Sequence, residues 1–97
     1  MAVAKTITSQ AEMTPEYRQT VVQMMESQAY RELAAAVMFG DGLKWVPSLK
    51  WLKFMTWHIR EEMEHYEAVA RMYQEFTGTS VEPVVHGRLA KKPVPFS

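Results

Sequence analysis

Two stretches of this chain, residues 16–39 and 48–77, contain neither Pro nor Gly, and each is bounded by residues that start or stop helices. Thr14-Pro15-Glu16 reads as a helix start: Thr caps free N–H groups, Pro fits the first helical position and Glu complements the dipole. The first helix is expected from Pro15 to about Phe39, with Gly40-Asp41-Gly42 supplying left-handed positions that end it. Pro47 is expected to open a second helix running to about Phe76, closed by Thr77-Gly78. At 1.5 Å per residue both are roughly 37 to 45 Å long. A short Gly-containing connection between two such helices predicts an antiparallel αα-hairpin over residues 14–80.

A hairpin alone leaves an apolar face uncovered. Residues 81–97, with Pro83, Gly87, Pro93 and Pro95, read as an extended tail that provides no further helix. Residues 1–13 read as a loose N-terminal arm. Two more helices must therefore come from another copy or another subunit, so the expected fold is all-α, half of a four-helix bundle completed by dimerisation.

The chemistry lies inside the apolar stripes. At alternating three- and four-residue steps the second helix gives Trp51, Met55, His58, Glu62, His65, Val69, Met72 and Phe76. The first gives Val21, Met25, Gln28, Glu32, Ala35 and Phe39. Glu32, Glu62 and His65 thus occupy core positions, where an unpartnered carboxylate costs several kcal/mol. A metal ion is one remedy. Glu62-Met63-Glu64-His65 has the Glu-x-x-His spacing of bundle di-iron sites, in which both side chains leave one helical face and a further Glu comes from a neighbouring helix. One chain offers Glu32, Glu62 and His65 as ligands; two chains offer four carboxylates and two imidazoles, the full complement of a ferritin-like site with two ions. Carboxylate oxygens with one imidazole per ion suit iron, or manganese, better than zinc.

Other readings of the same residues stand beside this one. Glu32 can pair with Arg or His across a bundle, and Glu62 with His65 can be a structural hydrogen bond. His58, one turn before Glu62, reads as a hydrogen-bonded core or interface residue, with support of a ligand as the alternative, and Gln28, one turn before Glu32, as an interface residue, with orienting a ligand as the alternative. The three Trp and eight Met read as core or interface. Glu61, Glu64 and Glu67 read as a solvated face with Arg60–Glu64 and Glu67–Arg71 pairs.

Composition narrows the classes. The chain has no Cys, which removes disulfides, thiolate metal sites, Fe–S clusters and cysteine nucleophiles. Its 11 basic and 11 acidic residues give no positive excess for nucleic acid or an anionic membrane. Residues 1–82 carry eight basic against eleven acidic groups, whereas Arg88, Lys91 and Lys92 meet no acid, so the tail is expected to seek an acidic surface. No signal-peptide pattern and no membrane-length apolar run is present, and a cytoplasmic protein is expected.

The stretch from Tyr17-Arg18-Gln19-Thr20 through Arg31-Glu32-Leu33, the Phe39-Gly40-Asp41-Gly42-Leu43-Lys44-Trp45-Val46-Pro47 turn and Glu61-Glu62-Met63-Glu64-His65 resembles the phenylacetic acid catabolic family. Within it the chain looks most like the catalytic subunits of phenylacetyl-CoA epoxidase type. The resemblance covers roughly residues 15–78, the N-terminal half of such a protein. It implies ligand roles for Glu32, Glu62 and His65, a di-iron oxygenase that activates dioxygen to oxidise an aromatic CoA thioester, and a separate reductase as electron donor. In that family the ligand pattern recurs on two later helices that this sequence lacks, so a fragment or a half-length homodimer is implied. Short ferritin-like proteins that assemble an iron site between two subunits share the layout, and a ferroxidase is the competing expectation. A metal-free helical interaction module is the third.

Overall fold

The computed structural model describes residues 12–91, and every regular element among them is helical. Helix α1 spans Pro15–Gly42, a 3-10 turn spans Leu43–Trp45, α2 spans Leu49–Thr77 and α3 spans Glu82–Lys91. Most of the expected N-terminal arm, and residues 92–97 of the tail, lie outside the described residues.

The start of α1 follows the sequence. The Thr14 hydroxyl accepts from the Tyr17 amide at 3.1 Å, and Pro15 takes the first helical position. Its end does not. Gly40 and Gly42 are helical, and Gly78 alone among the described residues has a positive φ, at 78°. The chain leaves helical geometry at Val46 (φ −73°, ψ 129°) because it precedes Pro47, whose ring crowds a helical neighbour. Pro47 also does not open α2. Ser48 caps it, its hydroxyl accepting from the Trp51 amide at 3.3 Å. Gly78 ends the helix in the left-handed conformation, as expected.

Cross-helix contacts show the direction of the pair: as residue numbers rise along α1 they fall along α2. The Arg18 guanidinium donates to the Phe76 carbonyl at 2.7 Å and lies 4.3 Å from the Phe76 ring centre. The Tyr73 hydroxyl donates to Glu26, His65 lies against Glu32, and the Phe39 ring meets His58 edge-on. α1 and α2 therefore form an antiparallel hairpin, with residues 43–48 at its tip.

The expectation of an extended tail from residue 81 is overturned by α3. Pro83 sits in the first turn, where a missing N–H costs nothing because no intrahelical acceptor awaits it. Gly87 inside the helix costs about 1 kcal/mol. Val81 and Val85 are fully covered, packed with Ala29, Tyr66 and Tyr73, and burying them returns roughly 1.5–3 kcal/mol each, so burial wins. Arg88 fixes the helix further, reaching Ser27 at 3.3 Å and Glu26 at 3.8 Å.

Because α3 covers one flank of the hairpin, the buried residues of α2 are Tyr66 and Tyr73, beside the stripe read from periodicity. Trp51 and Met72, on that stripe, are exposed, as are Trp45 and Trp57. No helix among the described residues is long and apolar enough to cross a membrane.

Candidate metal centre

The middle of the hairpin brings together the three residues that periodicity singled out. Ligand-type atoms of Glu32, Glu62 and His65 all lie within 4.8 Å of one another, and they are the one such group found among the described residues. Helix geometry explains the convergence. Glu62 and His65 stand three residues apart and share a face of α2, while Glu32 occupies the matching level of α1 in the antiparallel register. His65 Nδ1 lies 3.4 Å from Glu32 Oε2. The two carboxylate side chains are only 16% exposed, whereas that of His65 is 56% exposed. The group is thus closed on the hairpin side and open outward.

Two carboxylates so close cannot both be ionised without cost. A hydrogen bond between them settles the conflict unequally in the absence of a cation. The Glu62 carboxyl is pushed above the ordinary carboxylate range, first by that hydrogen bond, then by burial and the Glu32 charge. Glu32 is pulled below it, chiefly by the same hydrogen bond from Glu62, against the opposing effect of burial and with help from His65 and Gln28. Of the two, Glu62 is the carboxyl that gives up its proton less readily.

Two neighbours orient the pair. Gln28 Nε2 donates to Glu32 Oε1 at 2.6 Å, while its own oxygen accepts from Arg31 at 2.8 Å. Gln28 thus takes the orienting role that was the less favoured of its two readings, and the i, i+4 spacing to Glu32 is the signal that carried it. On α2, His58 Nε2 lies 3.6 Å from Glu62 Oε1, with its ring held edge-on to Phe39 and stacked on Phe54. Of the charged face, the Arg60–Glu64 pair forms at 3.2 Å and is largely exposed.

The donor set fits a divalent ion. It offers two carboxylates and an imidazole nitrogen, with Glu32 held by its hydrogen bond from Gln28, and a cation between the carboxylates would relieve the repulsion between Glu32 and Glu62. Beside the site an apolar cleft of about 340 Å³ runs toward the start of α1, lined by Tyr17, Val21, Met24, Met25, Gln28, Val69 and Met72. Neither the cleft nor the ligand group involves α3, which packs on the other flank. No family model, curated protein or solved structure matches the chain significantly.

Proposed function

We propose that Glu32, Glu62 and His65 are half of a carboxylate-bridged two-metal centre, and that the hairpin is half of a ferritin-like four-helix bundle completed by a second copy or a similar subunit. What carries the reading is the convergence, on an outward-facing flank, of two mostly buried carboxylates and an imidazole within 4.8 Å of one another. Two such chains supply four carboxylates and two imidazoles, the ligand count of di-iron bundle proteins.

Iron, with manganese as the alternative ion, is the metal that this ligand set suits. When bound, an iron pair supplies reductive activation of dioxygen. The chain's own residues do the rest. Glu62 must lose its proton to become a ligand, Gln28 holds the Glu32 carboxylate by a hydrogen bond, and His58 lies beside that of Glu62.

The resemblance to the phenylacetic acid catabolic family makes an oxygenase the leading reading: oxidation of an aromatic CoA thioester, with electrons from a separate reductase. The exposure of His65 favours a second reading, a ferroxidase that takes Fe(II) from solution as its substrate and releases Fe(III).

Anaerobic loading with Fe(II) followed by native mass spectrometry tests the shared part of both. A dimer carrying two irons is expected, and a protein that takes up no iron would refute the metal centre. Dioxygen uptake by the loaded protein then separates the two: uptake coupled to an aryl-CoA and a reductase supports the oxygenase, and uptake driven by Fe(II) alone supports the ferroxidase.

A further inference from the structure

We infer that the second copy docks on the open flank head to tail, with the two hairpin tips at opposite ends of the bundle. The inference rests on the half-site reading for its starting level but on separate observations for its direction.

Glu32 lies near the middle of α1, and Glu62 and His65 near the middle of α2. A two-fold axis at that level therefore brings both ligand groups together whether the tips coincide or oppose. Charge distinguishes the two arrangements. On the tip side of the ligand level, residues 33–58 carry Lys44, Lys50 and Lys53 against Asp41, a net of +2. The far end, residues 12–20 and 67–82, carries Glu12, Glu16, Glu67, Glu75 and Glu82 against Arg18 and Arg71, a net of −3. Tips together would place like charge beside like charge at both ends. Head to tail, each cationic tip meets an acidic end, and this happens twice by symmetry.

Shape points the same way. On the stripe that leads from the ligands toward the tip, Trp51 and Phe54 stand exposed, their rings in edge contact. At roughly 1.5 Å per residue they lie about 15 Å from the level of the ligands. At a comparable distance on the other side lies the cleft of Tyr17, Val21, Met24, Val69 and Met72, in which Tyr17, Met24 and Met72 are exposed. Head-to-tail pairing sets the aromatic rings of each copy into the Met-lined cleft of the other, a favourable pairing of thioethers with rings. Tips together sets rings on rings and cleft on cleft, leaving the cleft unfilled.

The absence of Cys makes the test direct. A single spin label on Trp45→Cys, an exposed tip position, reports the tip-to-tip distance in the full-length chain by pulsed electron resonance. Trp45 lies roughly 20–25 Å from the ligand level, so opposed tips put the labels about 40–50 Å apart, and coincident tips about 20 Å apart. The long distance is expected, together with a dimer whose dissociation constant rises with salt and rises about tenfold or more in Lys50→Glu/Lys53→Glu. A short distance, or a monomer at micromolar concentration, overturns the inference. Iron loading of the labelled, otherwise unsubstituted chain keeps the inference separate from the functional reading. A head-to-tail dimer that takes up no iron supports the docking and removes the metal centre, and a tip-to-tip dimer with iron does the reverse.

Discussion

Glu26 and Glu32 lie on the same helix and are covered to the same extent, their side chains 17% and 16% exposed, yet they are satisfied in different ways. Glu26, on the flank that α3 closes, accepts a hydrogen bond from Tyr73 at 2.8 Å and lies beside Arg88, so a cation and a donor of the same chain answer its charge. Glu32, on the open flank, has Gln28 and His65 for neighbours and a second carboxylate at close range. A structural carboxylate is given a cation by its own fold. One that faces a second carboxylate at close range keeps room for a cation from outside, which is the physical difference between a cross-link and a ligand.

The largest expected effect comes from breaking the open flank. Glu62→Ala should abolish binding of two irons per dimer in native mass spectrometry, whereas Glu64→Ala, two residues on and paired only with Arg60 at the surface, should leave binding intact and cost no more than about 0.5 kcal/mol. Equal losses in both variants would remove the distinction between the two acids. The Glu62 proton adds a pH signature. A metal must displace the proton of Glu62, whose pKa is raised, so affinity should begin to fall at a higher pH than an ordinary Glu would give as the solution is acidified, and binding should release protons into weakly buffered solution. For the metal-free protein the signs oppose. The raised Glu62 contributes stability that is lost as pH rises through its folded pKa, and the lowered Glu32 contributes stability that is lost as pH falls through its own. The stability due to this pair should therefore peak in the acidic window where it holds one proton, and Glu62→Gln should flatten that peak in thermal melts taken across pH.

Breaking the closed flank should act on stability and leave iron alone. Val85 is fully buried between α1 and α2, and Val85→Ala should cost roughly 2 kcal/mol. For a chain of this size that is a fall of about 10 °C in Tm. Iron stoichiometry, measured well below the transition, should be unchanged. Loss of iron in this variant would mean that the two flanks are one cooperative unit and not two regions with separate tasks.

How much of this division was legible in the sequence depended on whether a signal was local. The start of α1 could be read from Thr14-Pro15 and the end of α2 from Gly78, because capping is decided within one turn, whereas α2 was expected to open at Pro47 and is capped instead by Ser48. Glu32, Glu62 and His65 were legible because a polar residue at a core-phase position interrupts a periodic pattern. The flank that α3 closes was not legible. Pro83 and Gly87 argue locally against a helix, and what overrides them is the burial of Val81 and Val85 against Tyr66 and Tyr73, which becomes visible only when residues far apart in sequence are brought together. The same gap misplaced the core of α2: without α3, the Tyr66 and Tyr73 flank reads as an edge. The left-handed stop expected at Gly40-Asp41-Gly42 failed for a related reason, since glycine permits that conformation without requiring it, while Pro47 acts on Val46 by steric exclusion.

The smallest expected effects sharpen the comparison within the closed flank itself. Tyr66 and Tyr73 are both buried, but the Tyr73 hydroxyl donates to Glu26 whereas the Tyr66 hydroxyl makes no hydrogen bond. Removing a hydrogen-bonded hydroxyl beside a carboxylate costs about 1–2 kcal/mol, so Tyr73→Phe should lower stability by that amount. Tyr66→Phe removes a buried polar atom that has no partner, and urea melts should place it within about 0.5 kcal/mol of the parent, on either side. Burial holds both phenols above the usual tyrosine range, aided at Tyr73 by the bond to Glu26 and at Tyr66 by the Glu82 charge. A raised pKa contributes stability below the unfolded value and loses it as pH rises through the folded one. Alkaline titration of stability should therefore start to decline above about pH 10, the unperturbed phenol value, and each Phe variant should remove its share of the decline. If Tyr66→Phe proved as costly as Tyr73→Phe, the closed flank would owe its stability to packing alone, and the bond to Glu26 would no longer mark it off from the open flank.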